Sequence, residues 1–207
     1  MNASTPERLL FIAFMAIVIV CRVGATFRVW MTSRKQRGLR SRISAQWSFY
    51  LLFAVSCAIF GGTVLEFFLV NRPYHLVPAI GGVATFLVAN GIRMAAIRTL
   101  GPYWSVHIEI REEHQFVQEG IYGIVRHPAY LSFVMEHVAV PLVGNAWWSL
   151  LITGVVYLPL LWFRVAHEDA VLVEKFGAPY RAYQQRVGAI LPRWLALTHL
   201  GRLSRGA

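Results

Sequence analysis

Residues 130–163 read YLSFVMEHVAVPLVGNAWWSLLITGVVYLPLLWF, a stretch that predicts a helical hairpin. Two apolar runs, 130–143 and 147–163, are separated only by Gly144, Asn145 and Ala146, which favour a tight turn between two helices. At about 1.5 Å per residue the two legs reach roughly 21 and 25 Å, less than the hydrocarbon core of roughly 30 Å. Either the hairpin spans incompletely, or its legs extend into the flanking polar residues.

Three more apolar runs precede the hairpin, at residues 9–27, 47–70 and 77–97, each long enough to cross a bilayer. A signal peptide is the alternative for the first run, but Glu7 and Arg8 make a poor cationic start and no small-residue cleavage site follows. We expect the run to be retained, with Arg22 reaching the interface near its end. The chain is 57% hydrophobic and 14% charged, with mean hydropathy +0.51. The sequence therefore predicts an all-α integral membrane bundle of about five transmembrane segments.

The basic residues predict the orientation of these spans. Six Lys and Arg residues lie in 28–42, three in 98–126 and seven from residue 164 onward, so 16 of the 20 fall on one side if five spans alternate. By the positive-inside rule the N-terminus is external and the C-terminal region cytosolic, in the inner membrane if the cell is bacterial. The formal charge of +10 is thus explained by topology, and no nucleic-acid partner is expected.

An antiparallel hairpin returns its two ends to one place, and both ends carry polar residues. The groups expected to meet there are Arg126, His127 and Tyr130 before the first leg, and Arg164, Glu168 and Asp169 after the second. Pro128 suits the first turn of a helix, and a helix N-terminus favours an anion nearby. Interfacial anchoring is the alternative for Arg126 and His127, and a plain ion pair is the alternative for Arg164 and Glu168. Together the groups predict a cytosol-facing pocket that also opens toward lipid.

Polar residues inside the runs have a structural interpretation. Glu66, Arg93, Glu136 and His137 are costly in lipid, so we expect them to face the bundle interior and to pair there. A proton or ion path is the alternative, but the spans do not divide into two similar halves as in many transporters.

No metal is expected from the ligand-forming residues. The histidines at positions 107, 114, 127 and 167 have no ligand spacing typical of a metal site, and Cys21 and Cys57 each lie within an apolar run.

Two further segments flank the hairpin. Residues 98–127 are polar, and Val106, Ile108 and Ile110 alternate within them, which predicts a short extended segment in a lid or cofactor-binding loop. After the hairpin a helix is predicted to stop near Gly177 and to restart at Pro179. The restarted helix carries Tyr180, Tyr183 and Val187 on one face, and we expect it to cover the pocket.

Roughly residues 100–192 resemble the isoprenylcysteine carboxyl methyltransferase family, which shares its signature with membrane phospholipid methyltransferases. The resemblance is carried by LGPYWSVHIEI, HQFVQEGIYGIVRHPAY, the Gly144–Asn145 turn, RVAHED and EKFGAPYRAYQQRV. Ser132 departs from the family's usual glycine, and Asp169 replaces a second glutamate. The resemblance implies two regions, a three-span membrane region at 1–97 and a methyltransferase region at 98–207.

The resemblance also implies an S-adenosylmethionine-dependent methyltransferase with a lipid-embedded acceptor, such as a prenylated small molecule or peptide. Arg164 and Glu168 would be catalytic. Cofactor-binding residues would be His114, Tyr122, Arg126, His127, Pro128, Tyr130 and Glu168. The first candidate for the acceptor is a carboxylate, as in isoprenylcysteine carboxyl O-methylation. A phospholipid amine and a small thiol stay open, and a small membrane transporter or a non-catalytic scaffold is the alternative of a different class.

Overall fold

The computed structural model of the chain describes the backbone of residues 4–34, 41–44, 46–70, 73–101, 108–111 and 117–194, and the side chains of 4–27, 47–70, 73–101 and 117–194. The elements in chain order are α1 Thr5–Arg34, β1 Ser41–Ser44, α2 Gln46–Leu69, α3 Leu76–Leu100, β2 Ile108–Arg111, a 3₁₀ turn Gly120–Gly123, α4 Pro128–Val143, α5 Trp147–Ile152, a π-helical segment Thr153–Tyr157, α6 Leu158–Phe176 and α7 Ala178–Arg186. The predicted site residue His114 lies outside the described residues.

Among the described residues, four helices are long and apolar enough to cross a membrane, namely Thr5–Phe27, Trp47–Leu69, Leu76–Leu100 and Trp147–Phe176. The shorter apolar helix α4 corresponds to the fourth predicted segment, the first leg of the hairpin. Most of their large apolar side chains are exposed, as expected for a bundle whose outer surface faces lipid. The predicted helical membrane architecture is therefore confirmed.

The hairpin is present, but its legs are unequal. The first leg, α4, has 16 residues and is about 24 Å long, whereas the second leg runs unbroken through α5, the π segment and α6 for 30 residues, about 45 Å. The second leg therefore extends well beyond the length of roughly 25 Å expected from its apolar run, because residues 164–176 continue the helix.

Asn145 and Gly144 fix the turn of the hairpin. Asn145 has φ 51°, a left-handed conformation that asparagine tolerates better than most residues. Its amide group brackets the backbone of His75, accepting from N at 2.8 Å and donating to O at 3.1 Å. A Cβ atom on Gly144 would lie 2.8 Å from Thr63 Cγ2, so a larger residue there would force the packing around Thr63 to shift. The predicted turn is confirmed.

Helix α4 lies at the centre of the bundle and is buried along much of its length. Gly82 allows α3 to approach it closely, since a Cβ atom at that position would lie 2.7 Å from Ala139 O. Towards the turn, Val140 and Val143 of α4 join a buried aromatic cluster of α1 and α3 that includes Phe14 and Phe86. Helix α4 thus holds the start of the hairpin in a fixed place.

Buried polar residues within the spans are paired, as predicted. Arg93 Nη1 donates to Glu136 Oε2 at 3.0 Å, and His137 Nε2 lies 2.8 Å from Ser56 Oγ. The Glu66 carboxylate accepts the backbone N–H groups of residues 148 and 149, at the N-terminus of α5, at 3.1 and 3.0 Å. A carboxylate at a helix N-terminus is stabilised by the helix dipole.

The expectation that Arg22 reaches the interface is wrong. Helix α1 continues to Arg34, twelve residues further, so Arg22 is far from the helix end. Its Nε atom donates to Glu136 Oε1 at 3.0 Å instead. This ion pair within the bundle compensates part of the charge of Arg22, since Glu136 also binds Arg93.

Two segments at the hairpin's open end are also as predicted. The extended segment exists as β2, which pairs antiparallel with β1, although Val106 lies outside the described residues. Helix α6 ends at Phe176, Gly177 adopts φ 61°, and α7 begins directly after it. The prediction that Val187 lies on this helix is wrong, because α7 ends at Arg186 and Val187 is extended. After α7 the chain returns to the start of the hairpin, where Val125 and Gly188 form a parallel bridge.

Candidate active site

The open end of the hairpin gathers the six polar residues that the sequence predicts to converge. We call this cluster the hairpin mouth; it consists of Arg126, His127, Tyr130, Arg164, Glu168 and Asp169. Arg164 Nε donates to the Tyr130 hydroxyl at 2.9 Å, joining the second leg to the first. The Tyr130 hydroxyl also hydrogen-bonds Glu168, and His127 Nδ1 lies 3.9 Å from Glu168 Oε1. The predicted convergence is confirmed.

Asp169 is the hub of this cluster. Its Oδ2 atom accepts from Arg126 Nη2 at 2.7 Å, and its Oδ1 atom accepts from the Tyr180 hydroxyl at 2.6 Å. His127 Nε2 lies 2.9 Å from the same Oδ1 atom. Successive residues of a helix are about 100° apart, so Asp169 turns towards α7 while Glu168 turns towards Tyr130. Sequence analysis placed Asp169 at the mouth but did not name it as a site residue.

Arg126 ties the mouth to the segment after α7. Its Nη1 atom donates to the carbonyl oxygens of Gln184, at 3.2 Å, and Val187. The backbone N–H groups of Arg126 and His127 donate to the carbonyls of Gly188 and Ala189, each at 2.8 Å. Among the described residues, the Nε atom of Arg126 is buried without a hydrogen-bond partner. Most of this guanidinium is therefore engaged by the protein itself.

Arg164 is buried between three helices. Besides the bond to Tyr130 on α4, its Nη1 atom donates to Ser48 Oγ of α2 at 2.8 Å. The guanidinium also lies 5.9 Å from the ring centre of Phe49. Sequence analysis missed Ser48, because a serine in the first turn of an apolar run carries no signal of its own. These contacts fix the orientation of the arginine.

Three buried tyrosines support the mouth from the side that is predicted to face the cytosol. The Tyr183 hydroxyl donates to the carbonyl of Tyr122 at 2.6 Å, which joins α7 to the 3₁₀ turn. Burial raises the pKa of Tyr183 to about 12, and it raises that of Tyr122 well above the usual value. Burial and the Asp169 charge do the same to the pKa of Tyr180. All three phenols are therefore neutral hydrogen-bond donors at physiological pH.

Glu168 is the acidic group of the mouth that a ligand can reach. Its side chain is 27% exposed, whereas those of His127 and Asp169 are 4% and 14% exposed. Pro128 occupies the first turn of α4, so the N-terminus of that helix points into the mouth as predicted. The part of the chain that the structure describes contains no group of three His, Cys, Asp or Glu residues placed to hold a metal ion.

Comparison with known proteins identifies the class. The fold is shared with a solved structure of the eukaryotic intramembrane Ras methyltransferase ICMT, at TM-score 0.54 and 23% identity, over 72% of this chain and 54% of that one. This is an integral membrane protein with the helical fold of that methyltransferase. Residues 82–174 match the model of the isoprenylcysteine carboxyl methyltransferase (ICMT) family, which confirms the resemblance predicted from the sequence.

Curated relatives match about half of the chain. Protein-S-isoprenylcysteine O-methyltransferase B of Arabidopsis thaliana is 32% identical over 54% of this chain and 57% of its own length. Methanethiol S-methyltransferase of Pseudomonas deceptionensis is 36% identical over 53% of this chain and 40% of its own length. The chain thus spans about half the length of these relatives. The segment that matches the family model, residues 82–174, includes the hairpin and its mouth.

Proposed function

We propose that this chain is an S-adenosylmethionine-dependent membrane methyltransferase that methylates a lipid-embedded acceptor, a carboxylate as in isoprenylcysteine carboxyl O-methylation. The observation that carries the proposal is the meeting of Glu168, His127 and Tyr130 with the fixed Arg164 at the hairpin mouth. This cluster lies within the segment that matches the methyltransferase family. In the proposed orientation the N-terminus is external and the mouth faces the cytosol.

The chemistry of the mouth fits S-adenosylmethionine, which supplies an electrophilic methyl group when bound. A partly exposed carboxylate beside aromatic rings attracts a sulfonium or ammonium cation, and Glu168 lies beside Tyr130 and His127. For the cofactor carboxylate, we propose the N-terminus of α4 together with the Nε–H of Arg126, since the other donors of that guanidinium are engaged. Tyr122 and Pro128 line the same end of the helix, and His114 stays a proposed contact.

Arg164 and Glu168 are the proposed catalytic residues. A carboxylate acceptor has a pKa of about 4, so it is ionised at neutral pH and needs no base. Arg164 would orient this acceptor, because Ser48 and Tyr130 hold its guanidinium in place. Positioning the two reactants supplies up to roughly 7 to 11 kcal/mol of the barrier reduction. Glu168 would bind the positively charged end of S-adenosylmethionine and keep its methyl group close to the acceptor carboxylate.

The surface beside the mouth supports an acceptor that arrives from the lipid. Trp47 and Phe163, the chain neighbours of Ser48 and Arg164, are exposed and lie with ring centres 5.6 Å apart. Trp162 is exposed next to them. Exposed aromatic side chains are typical of the membrane interface. An apolar substrate can therefore approach Arg164 along this rim without leaving the bilayer.

Methylation of a small thiol is the second candidate, favoured by the 36% identity to a methanethiol S-methyltransferase. A thiol has a pKa of about 8.5 and must lose a proton, for which Glu168 or His127 is the available acceptor. A phospholipid amine would need the same step. Activity that rises with pH towards the thiol pKa would distinguish these acceptors from a carboxylate.

The test is a pair of assays on purified protein in nanodiscs. Equilibrium titration with S-adenosylmethionine should show saturable binding, and transfer of a labelled methyl group should be compared for a prenylcysteine, methanethiol and phosphatidylethanolamine. Properly folded protein that binds no S-adenosylmethionine would favour a transporter or scaffold instead.

The matched variants are Glu168→Gln and Glu174→Gln. We expect Glu168→Gln to lower turnover by roughly 100-fold or more while the protein still inserts, since removal of one electrostatic group from an active site has effects of this order. Glu174 is exposed on the same helix, so its variant should keep wild-type turnover. Equal activity of both variants would remove Glu168 from the site.

A further inference from the structure

A second charged cluster lies inside the membrane-spanning part of the bundle, apart from the mouth. Arg22 of α1 and Arg93 of α3 both bind the carboxylate of Glu136 on α4: Arg22 Nε donates to Oε1 and Arg93 Nη1 to Oε2, each at 3.0 Å. Glu136 is fully buried. We call these three residues the ion triad. Two cations share one anion there, so the triad carries a formal charge of +1.

The two arginines of the triad differ in how well they are satisfied. Arg93 is 5% exposed in its side chain, and its Nη2 atom also donates to Asn90 Oδ1 at 2.8 Å. Arg22 has its guanidinium 4.6 Å from the ring centre of Phe60, but its Nη2 atom is buried without a hydrogen-bond partner among the described residues. The excess charge and the unsatisfied donor therefore coincide at Arg22.

Arg22 is open towards the lipid side of the bundle. Its side chain is 29% exposed, and the neighbouring Ile19, Val20 and Val23 of α1 are apolar and exposed. A ligand that reaches Arg22 from this surface must pass along acyl chains. A guanidinium that shares its only anion among the described residues with a second cation is costly in a membrane, and ionisable residues within spans commonly mark ligand sites.

The depth of the triad suits an amphiphile. Arg93 lies seven residues before the end of α3 and Glu136 eight residues after the start of α4, which places them about 10 and 12 Å from those helix ends. Both ends are on the side of the mouth, because Thr99 contacts Gly120 there. The triad is thus within the leaflet on the side of the mouth, where an amphiphile held against α1 would place its head group below those of the surrounding lipids.

We infer that Arg22, supported by Arg93 and Glu136, binds the oxyanion of an amphiphile in the surrounding leaflet, either the phosphate of an anionic phospholipid or the carboxylate of a fatty acid. A single negative charge beside the exposed part of the Arg22 side chain would neutralise the triad. Arginine suits this task because its guanidinium presents several donors to one oxyanion. This site is separate from the proposed methyl transfer.

The test is the thermal unfolding of the full chain in phosphatidylcholine nanodiscs with and without added phosphatidylglycerol or oleate. The variants are Arg22→Gln and, as a control, Arg98→Gln, which removes an exposed charge from α3. We expect the anionic amphiphile to raise the unfolding midpoint of the wild type and of Arg98→Gln but not of Arg22→Gln. Binding of a spin-labelled anionic lipid should weaken at least ten-fold, about 1.4 kcal/mol, in Arg22→Gln alone.

Arg22→Gln also separates a binding role from a structural one. It leaves the neutral Arg93–Glu136 pair in place, so in pure phosphatidylcholine it should unfold at or above the wild-type temperature. A variant that is strongly destabilised or unfolded there would show that Arg22 is a structural partner of Glu136, and the inference would be wrong. Two further results would overturn the inference. The anionic amphiphile could stabilise the wild type and Arg22→Gln equally, or soluble acetate or phosphate could stabilise the wild type while the anionic amphiphiles do not. Comparison of phosphatidylglycerol with oleate identifies the head group.

Discussion

Replacement of Asp169 by asparagine tests whether the carboxylate at the centre of the mouth holds the C-terminal segment in place. The wild-type oxygens are within hydrogen-bond distance of Arg126 Nη2, His127 Nε2 and the Tyr180 hydroxyl, at 2.7, 2.9 and 2.6 Å. Hydrogen bonds to a charged group contribute about 1.5 to 3 kcal/mol, against roughly 0.5 to 1.5 kcal/mol for neutral pairs. The loss of about 1 kcal/mol at each of three contacts lowers the free energy of unfolding by about 3 kcal/mol.

Thermal unfolding in nanodiscs measures this loss, and titration with S-adenosylmethionine measures its effect on the proposed site. A drop of 3 kcal/mol corresponds to roughly 6 to 12 °C for a chain of this size, and cofactor affinity should fall at the same time. Asp169→Glu keeps the charge and should lose less than Asp169→Asn, whereas Glu174→Gln on the same helix should change neither quantity. If Asp169→Asn unfolded and bound as the wild type does, the carboxylate would not be the hub of the mouth.

Two other substitutions have defined outcomes. Glu136→Gln leaves two guanidinium groups without their shared carboxylate, so the free energy of unfolding should fall by about 3 to 5 kcal/mol. Denaturation in nanodiscs measures this loss, and a variant as stable as the wild type would contradict the prediction. Gly188→Ala should weaken cofactor binding at least ten-fold, roughly 1.4 kcal/mol, because the added Cβ atom would clash with Leu191 O and displace the segment bound to Arg126. Gly91→Ala, with nothing within 4 Å of the added atom, is the control, and equal affinities would refute the expectation.

Features that depend on neighbouring residues were predictable from the sequence. The turn at Asn145 and the helix stop at Gly177 follow from local backbone preferences, and both are found with positive φ. The convergence at the mouth was predictable too, because a short turn forces the two legs of a hairpin to lie antiparallel. Pairing of the buried charges followed from their cost in lipid.

Features that depend on contacts between distant elements were not predictable. Ser48 is 116 residues from Arg164, and Arg22 is 114 residues from Glu136, so no local pattern links the members of either pair. The contacts of Arg126 were not predictable either. An arginine indicates a charged contact, but the sequence does not show that backbone carbonyls of α7 and of the residue after it would accept hydrogen bonds from its guanidinium. Side-chain partners of this kind are determined by helix rotation and register, which periodicity alone does not fix.

The position of the mouth follows from the register between the two legs. Arg164 lies 17 residues after Trp147, about 26 Å from the turn, and the start of α4 lies about 24 Å from it along the other leg. The two sides of the mouth are thus level, near one boundary of a hydrocarbon core of roughly 30 Å.

Rotation matters as much as height, and the π-helical segment Thr153–Tyr157 lies between the turn and Arg164. Since a π-bulge adds one residue to a helix, and one residue turns an α-helix by about 100°, a regular α-helix in its place would turn Arg164 away from Tyr130. The irregular segment in the second leg is therefore what aims Arg164 at the place where a water-borne donor and a lipid-borne acceptor could meet.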